Sequence, residues 1–487
     1  MSKQRLTFEK SYAIKLLVCA AILILFWITP PVEPITVIGM RLIGIFISVV
    51  LLLSLVDTVW PAFLGIVLLS RSGICTLNEA IAGTLGSWVI YFILMSFIMT
   101  HALNESGFTD RVVAKFMSIK AFAKTPWTFT FSLAFLGLLL GSFMDQVPAA
   151  AFMLAFCSRV YKELGYQKGD AYPQMTNCLA IFGVNIGGAM TPVSHALVII
   201  GISVYEAATG NTMSLFSYLA FGVPTGIVLF ILMCIFFKLA FKPDMSKFKN
   251  FNIENVLKKQ EPMDLKEKVI VTIFIITVLL WILPGIFVMF SNAAWVTKFN
   301  SYGITFWAIL SIVVMSIIYV DHAPIVDTKN IVNKNINWAI LIFVSIGTYL
   351  GSAMSNEATG IVAAIRENVI PITERVPAII TVLIISLATV LLTNFASNVT
   401  AVTVMTGVSA ALAIGSNGAI NLPAICMAAT MSGCCAYLFP SSFATVAMLH
   451  GDEYSGKKQI FSSAIVMVII TALIITFVGY TVGSLMM

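Results

Sequence analysis

The chain has 487 residues, of which 59% are hydrophobic and only 10% are charged. A soluble globular protein carries about 25% charged residues, so this composition excludes an ordinary water-soluble domain and indicates that lipid is the main solvent. In lipid, helices and closed β-barrels are the structures that satisfy all backbone polar groups. The apolar runs are roughly 20 residues long, which favours helices. The net charge of +6 follows from basic residues in cytoplasmic loops and requires no nucleic-acid partner.

The N-terminal segment, residues 1–35, is predicted to be a retained transmembrane helix. Basic residues precede its apolar run and no small-x-small cleavage site follows it, which argues against a signal peptide. An amphipathic stretch at 107–122, with Arg111 and Lys115 on its polar side, is typical of a helix lying in the membrane interface. Between these two segments we predict spans near 36–56, 58–70 and 87–103.

Residues 126–164 form an apolar stretch that is broken in its middle, at 141–148, beside the carboxylate of Asp145. Neither half is long enough to span a membrane comfortably. The pattern therefore predicts a re-entrant helical hairpin whose tip is buried in protein. Beyond the hairpin we predict a span near 171–187, a break at 185–192, a continuation at 195–206 and a further span at 214–240.

A lysine-rich polar segment, 241–267, is predicted to be a cytoplasmic linker between two halves of the chain. A second broken hairpin is predicted at 377–415, with the sequence from Thr393 to Val399 at its tip. The remaining predicted elements are spans near 268–290, 302–320 and 337–353, an amphipathic helix near 358–370, a broken span at 421–450 and a last span at 459–484. The total is eleven spans and two hairpins.

Matching features recur in the same order about 250 residues apart. The matched pairs are Trp88 with Trp338, Asp145-Gln146 with Ser397-Asn398, and Gly187–Pro192 with Gly433–Pro440. Five spans, an odd number, separate corresponding elements, so the repeats 36–240 and 268–487 must be inverted. Chance similarity between apolar helices is the alternative, but it does not explain the ordered series of breaks. Inverted repeats with paired broken segments are typical of secondary transporters whose site lies at the membrane midplane.

The distribution of lysine and arginine predicts a multi-pass protein of the cytoplasmic membrane with its N-terminus in the cytoplasm. This orientation places the 105–125 segment and the 241–267 linker inside, together with the basic residues near 330 and 457. The opposite side keeps only scattered basic residues, as the positive-inside rule requires.

The helix breaks are the candidate binding sites. Helix N-termini attract anions, whereas C-termini and freed carbonyl groups attract cations. At the second tip, Ser397 and Asn398 add side-chain donors and acceptors, and Thr393 and Ala396 offer carbonyl groups to sodium. The alternative role for a Ser-Asn pair in a membrane helix is hydrogen bonding between helices.

Asp145 is the strongest single candidate for a functional residue, because a carboxylate at membrane depth by default marks an ion or proton path. It is either a sodium ligand or a proton carrier, and the alternative is a structural pair with Arg41. His195 follows the break at Thr191 and is a candidate substrate contact together with it. The competing interpretation of His195 is a structural hydrogen-bonded histidine.

Other functional classes lack their motifs. Neither HExxH nor GxSxG occurs, which argues against an intramembrane enzyme. The eight cysteines form no CxxC pair and are interpreted as small buried residues. We therefore predict no organic cofactor. The polar linker is too short for a soluble output domain, and paired broken helices favour a closed pocket over a channel.

Together, the two hairpins, the broken spans, the interfacial helix and the linker resemble the divalent-anion/sodium symporter (DASS) family over nearly the whole chain. The family carries Ser-Asn-Thr motifs at its hairpin tips. The second tip is similar, as Ser397-Asn398-Val399, and the first matches in position only, as Asp145-Gln146-Val147. The resemblance implies a homodimer in which a transport domain moves like an elevator against a fixed scaffold in the lipid bilayer.

The resemblance also implies site residues. Two sodium sites would be framed by Gly141, Asp145, Gln146 and Gly188, and by Thr393, Ala396, Asn398 and Ser442. Substrate would face Asp145, Gln146, Val147, Ser397, Asn398, Val399 and Ala444.

The function implied is sodium-coupled symport of a dicarboxylate, a tricarboxylate or sulfate. The alternative is a cation/proton antiporter or a proton-coupled anion exchanger that uses Asp145. A dianion beside Asp145 would be repelled. Either a cation lies between them, or Asp145 is protonated, or the substrate is less anionic than a typical dicarboxylate.

Overall fold

The computed structural model describes residues 9–119, 122, 124–193, 195–251, 253, 256–257, 261–291, 293–354, 356–364, 367–368, 376–395 and 397–486. Helices dominate these residues. The helices before the linker are α1 (Lys10–Ile28), α2 (Val37–Leu55), α3 (Trp60–Ser72), α4 (Leu77–Gly83), α5 (Trp88–Glu105), α6 (Phe108–Met117), α7 (Pro126–Phe143), α8 (Gln146–Leu164), α9 (Ala171–Met190), α10 (Ala196–Thr209) and α11 (Leu215–Ala240).

The second half follows the same order. Its helices are α12 (Leu265–Phe290), α13 (Ala294–Ser301), α14 (Gly303–Ile317), α15 (Thr328–Lys334), α16 (Trp338–Met354), α17 (Ala378–Phe395), α18 (Asn398–Gly415), α19 (Leu422–Cys434), α20 (Ala444–Gly451), α21 (Lys457–Ile474) and α22 (Thr481–Met486). Short 3-10 turns lie at Ser246–Asn250 and Glu357–Thr359, and a π-helical turn, Ile475–Tyr480, joins α21 to α22. An antiparallel pair, β1 (Tyr319–Val320) and β2 (Ala323–Pro324), was not predicted, because two-residue strands leave no periodic pattern.

Eight described helical stretches are long and apolar enough to cross a membrane, and two bent helix pairs raise this number to ten. Three of the eight are hairpin arms, α7, α17 and α18. The described residues contain the eleven predicted crossings when both hairpins and the short helices α4, α6, α13 and α15 are left out and the pairs α9–α10, α19–α20 and α21–α22 are each counted once. The predicted all-α polytopic fold is confirmed. Of the amphipathic helix predicted near 358–370, residues 358–364 and 367–368 are described, and those at 361–364 and 367–368 are helical.

The two hairpins open towards opposite faces of the molecule. The continuous helix from α21 to α22 is the reference, because its two ends contact different hairpins. The loop after the first hairpin meets the start of α21, where Lys168 pairs with Glu453 at 2.6 Å. The loop after the second hairpin meets the far end of the helix, where the Asn421 N–H donates to the Tyr480 hydroxyl at 3.0 Å. The hairpins therefore enter the molecule from opposite faces, as inverted repeats require.

The first hairpin arm packs closely on α9 because glycines face backbone atoms. A Cβ added at Gly141 would lie 2.2 Å from the Val184 carbonyl oxygen, and one at Gly187 would lie 2.1 Å from the Leu138 oxygen. Small residues four apart permit such helix approach in membranes. This packing holds the tip of the first hairpin against the break that follows α9.

The central linker lies against the base of the first hairpin. Phe251 packs edge-on against Phe129 of α7, with ring centroids 4.9 Å apart. Lys247 pairs with Asp170 at 3.2 Å and also lies over the Tyr166 ring. These contacts place the linker on the face from which the first hairpin enters.

Arg41 lies on α2, next in sequence to Leu42 of an apolar cluster built mainly from α2, α3 and α16. Its Nη1 donates to the Ser72 carbonyl at 3.3 Å, and its guanidinium lies 5.0 Å from the Trp27 ring centroid. The pairing of Arg41 with Asp145, considered from the sequence, is wrong. Stacking on an aromatic ring stabilises the guanidinium, while the Arg41 Nε has no hydrogen-bond partner among the described residues.

Candidate ion and substrate site

The two hairpin tips share their pattern of exposure at four matched positions and differ at the next, where Pro148 is exposed and Thr400 is buried. The matched pairs are Phe143 with Phe395 (both exposed), Asp145 with Ser397 (both partly buried), Gln146 with Asn398 (0% and 2% exposed) and Val147 with Val399 (both partly buried). The agreement at these four positions supports the match between the two tips.

At the first tip, the buried amide of Gln146 has one end satisfied and one end free. Its Nε2 donates to the Asn185 carbonyl at 3.2 Å and to the Val184 carbonyl at 3.5 Å. Its Oε1 has no hydrogen-bond partner among the described residues. A Cβ at Gly188 would lie 1.8 Å from Nε2, so only glycine leaves room for this side chain. A buried oxygen without a donor is a natural ligand for a cation.

At the second tip, Thr393 decides how the Asn398 amide is oriented. The Thr393 hydroxyl lies 2.6 Å from the Gly433 carbonyl oxygen and 3.0 Å from the Asn398 amide. The Asn398 atom that faces this hydroxyl is Oδ1, and the Asn398 Nδ2 has no hydrogen-bond partner among the described residues. Each tip therefore holds a buried amide with one polar atom unpartnered, Oε1 of Gln146 at the first tip and Nδ2 of Asn398 at the second.

Two asparagines that the sequence did not single out connect the tips. Asn185 donates to the Ala436 carbonyl at 2.7 Å and accepts from the Thr445 hydroxyl at 2.8 Å. Asn394 accepts from the Tyr437 and Leu438 N–H groups, both at 2.8 Å, and donates to the neighbouring Cys435 carbonyl at 3.4 Å. Gln146, Asn185, the 435–438 loop and Asn394 thus form one connected network. Amides inside apolar spans were the signal for these residues.

His195 and Phe443 mark the centre of the repeat. They occupy the same position in the two broken spans, as N-cap residues of α10 and α20. Their ring centroids lie 5.7 Å apart. Equivalent residues of two repeats that contact each other must lie beside the pseudo-two-fold axis. Because both residues are N-caps, the N-termini of α10 and α20 lie near this axis. Neither residue caps its helix with its side chain.

Asp145 and His195 line one recess, which α5 closes from the other side with Ser96 and Thr100. The Asp145 carboxylate accepts from the Val147 N–H at 3.0 Å and so caps α8. The ion pairs found in the described residues do not include Asp145. His195 is 5% exposed, and its Nε2 has no described partner. The recess therefore presents a carboxylate and an imidazole nitrogen.

The other predicted residues are placed as follows. The Thr191 hydroxyl donates to the Ser142 carbonyl at 2.6 Å, and the Ser442 hydroxyl donates to the Phe439 carbonyl at 2.5 Å, so both stabilise the breaks. Ala444 is exposed at the first position of α20. Gly141 packs against Val184, and Ala396 lies outside the described residues.

Residues 48–432 match the citrate transporter family, CitMHS. The chain belongs to this family. The chain is therefore a multi-pass membrane transport protein. Its membership in the divalent-anion/sodium symporter family, which the sequence indicated, is confirmed. It is similar to the "Sodium-dependent dicarboxylate transporter SdcS" of Staphylococcus saprophyticus, with 25% identity over 416 residues, covering 82% of this chain and 78% of that protein. The protein of the same name from Staphylococcus aureus strain MW2 is 26% identical over 440 residues, covering 86% and 81%.

The transporter also resembles a solved structure, that of the Alcanivorax borkumensis YdaH transporter. The TM-score is 0.57 at 12% identity, and the match covers 98% of both chains. At this identity the likeness shows the fold alone. It supports the all-helical transporter architecture along the entire length of the chain.

Proposed function

We propose that this protein is a sodium-coupled symporter of a small anion such as a dicarboxylate, a tricarboxylate or sulfate across the cytoplasmic membrane. The observation that carries the proposal is a buried amide at each hairpin tip, Gln146 and Asn398, each with one polar atom that has no described hydrogen-bond partner. Leaving a buried polar atom without a partner costs about 1–3 kcal/mol, so two such atoms at equivalent positions indicate a bound ligand. The names of the SdcS relatives specify sodium dependence.

Sodium fits these positions because it takes oxygen ligands near helix C-termini, where carbonyl groups point outward. Gln146 faces the last turns of α9, and Asn398 is joined through Thr393 to the last turn of α19. The first site would use Gln146 and Gly188, and the second would use Thr393 and Asn398. Each site combines a side-chain oxygen with the partly negative end of a helix.

The anion would bind at the centre of the repeat. The first residues of α8, α10, α18 and α20 all lie at hairpin tips or breaks, and helix N-termini attract negative charge. The Ser397 side chain does not cap α18, which leaves that terminus suited to a substrate carboxylate. Sodium beside this anion would offset its charge, so that each ligand favours binding of the other.

The second candidate function is proton-coupled exchange through Asp145. It is favoured by the recess that Asp145 shares with His195, and by the absence of Asp145 from the described ion pairs. For either function we propose a homodimer in the lipid bilayer, a cytoplasmic N-terminus and an elevator-like movement of the hairpins against α2, α3 and α16.

Uptake into proteoliposomes tests the proposal. Radiolabelled citrate, succinate and sulfate are offered under an inward sodium gradient, an inward proton gradient or neither. We expect uptake that a sodium ionophore abolishes, and its loss in the Asn398→Ala variant. Gln167→Ala, which removes an exposed amide in a loop, is the control and should transport normally. Uptake driven by protons alone would favour the second candidate, and uptake by Asn398→Ala at the normal rate would refute the site.

A further inference from the structure

One buried side chain, that of Asn185, joins the two repeats. Asn185 lies near the end of α9 and is fully buried. Its Nδ2 donates to the Ala436 carbonyl at 2.7 Å, and its Oδ1 accepts from the Thr445 hydroxyl at 2.8 Å. These partners lie in the broken span of the second repeat, 251 and 260 positions later in the chain. Both polar ends of this amide are therefore engaged between the repeats.

The main chain of Asn185 supports the first hairpin tip. Its carbonyl oxygen accepts from the Gln146 Nε2 at 3.2 Å, and this contact sets the direction of the unpartnered Gln146 Oε1. The carbonyl group and the side chain belong to one residue of a helix, so they move as a unit. Asn185 thus fixes the first tip relative to the second repeat.

The 435–438 loop that Asn185 holds is also tied to the second tip. Two N–H groups of this loop donate to the Asn394 Oδ1, both at 2.8 Å. Asn394 follows Thr393, whose hydroxyl lies 3.0 Å from the Asn398 Oδ1. An unbroken series of hydrogen bonds and neighbouring residues therefore connects the buried amides of the two tips.

We infer that Asn185 is a positioning residue, which holds the two hairpin tips in register so that sodium ions bind to them cooperatively. The inference rests on the proposed function, which places one sodium site at each tip, and makes it more specific. A sodium ion that orders the Gln146 amide also orders the end of α9 and, through Asn185, the 435–438 loop. The second ion then meets a loop that is already ordered, so its binding costs less conformational entropy. Coupling between two sites is reciprocal, so the same advantage holds whichever tip is occupied first.

Equilibrium binding of radiolabelled sodium to the purified protein tests the inference. Two sites coupled by about tenfold, within the usual range of allosteric coupling, give a Hill coefficient of about 1.5. Thr445→Val removes one of the two contacts between the repeats and keeps the shape of the side chain. Its Hill coefficient should fall to about 1 or below, the value for independent sites, while the number of ions bound stays the same. Asn185→Ala removes both contacts and should have the same effect.

Two variants serve as controls. Thr445→Ser keeps the hydroxyl and should keep the cooperativity. Thr406→Val removes an equally buried hydroxyl, which lies 3.0 Å from the Thr430 hydroxyl within the second repeat alone, and should leave the cooperativity unchanged.

Hydrogen exchange in the wild type is an independent measurement that needs no variant. Sodium should slow the exchange of segments 184–192 and 435–442 with the same midpoint concentration. Different midpoints, a wild-type Hill coefficient of about 1, or equal Hill coefficients for the wild type and folded Thr445→Val would overturn the inference while leaving sodium-coupled anion symport intact. If no radiolabelled sodium binds to the wild type, the proposed function fails as well.

Discussion

Gly188→Ala is the most direct test of the first sodium site. An alanine Cβ would lie 1.8 Å from Nε2 and 2.4 Å from Cδ of Gln146, so the Gln146 side chain must turn away. This movement breaks its contact with the Asn185 carbonyl at 3.2 Å and displaces the free Oε1. The substitution therefore removes the proposed ligand without changing any charge.

The magnitude follows from these contacts. The contact with Val184, at 3.5 Å, is at the outer limit for a hydrogen bond, so one bond is counted, worth about 1 kcal/mol. Overpacking a filled interior adds about 1–3 kcal/mol. The sum, about 2–4 kcal/mol, is the expected loss in the free energy of unfolding. Displacement of the Gln146 Oε1 ligand, a polar contact to a charge worth about 1.5–3 kcal/mol, should raise the half-saturating sodium concentration at least tenfold, since 1.4 kcal/mol is tenfold in affinity.

The assay is the initial rate of uptake into proteoliposomes as a function of sodium concentration. Gly451→Ala is the matched control, because nothing lies within 4 Å of its added Cβ, and its sodium dependence should equal that of the wild type. Thermal unfolding in sodium and in potassium gives an independent measurement. A folded Gly188→Ala protein with an unchanged sodium dependence would refute the site.

Three further predictions concern the second site, the interfacial helix and the loop before α21. Thr393→Val should lower the free energy of unfolding by about 1–3 kcal/mol and weaken sodium binding, because the hydroxyl joins Asn398 to Gly433. Thr393→Ser, which keeps a hydroxyl, should retain the stability and the sodium affinity. Equal sodium titrations for the two variants would contradict this prediction. Arg111→Ala should destabilise the protein in thermal unfolding by about 3 kcal/mol, because it leaves Glu267, only 5% exposed, without its ion pair at 2.7 Å. Exchanging Arg111 and Glu267 should recover part of this stability, and an unchanged stability of Arg111→Ala would refute the role of the ion pair. Burial raises the pKa of Asp452. The protonated carboxyl therefore stabilises the folded state below about pH 4, the ordinary range of an aspartate, and this stability is lost as the pH rises through the raised pKa. Asp452→Asn should flatten this pH dependence of the unfolding temperature, and an unchanged profile would disprove the role of Asp452.

Sequence alone determined the architecture, because lipid imposes simple rules. Apolar runs of membrane length must be helical, and the breaks at 141–148 and 393–399 stand out against them. The hairpins α7–α8 and α17–α18 begin and end within about two residues of the predicted ranges 126–164 and 377–415. The inverted repeat also followed from the sequence, since an odd number of spans fixes relative orientation.

Only the tertiary structure decided what the polar side chains do. The network from Gln146 through Asn185 to the 435–438 loop joins residues about 250 positions apart. No local pattern encodes such contacts, because side-chain hydrogen bonds depend on where helices meet. The same holds for Arg41, which found its partner in Trp27 rather than Asp145. Membrane insertion is governed by each segment's own hydropathy, whereas a binding site is governed by distances between segments, and those exist only after the helices have packed.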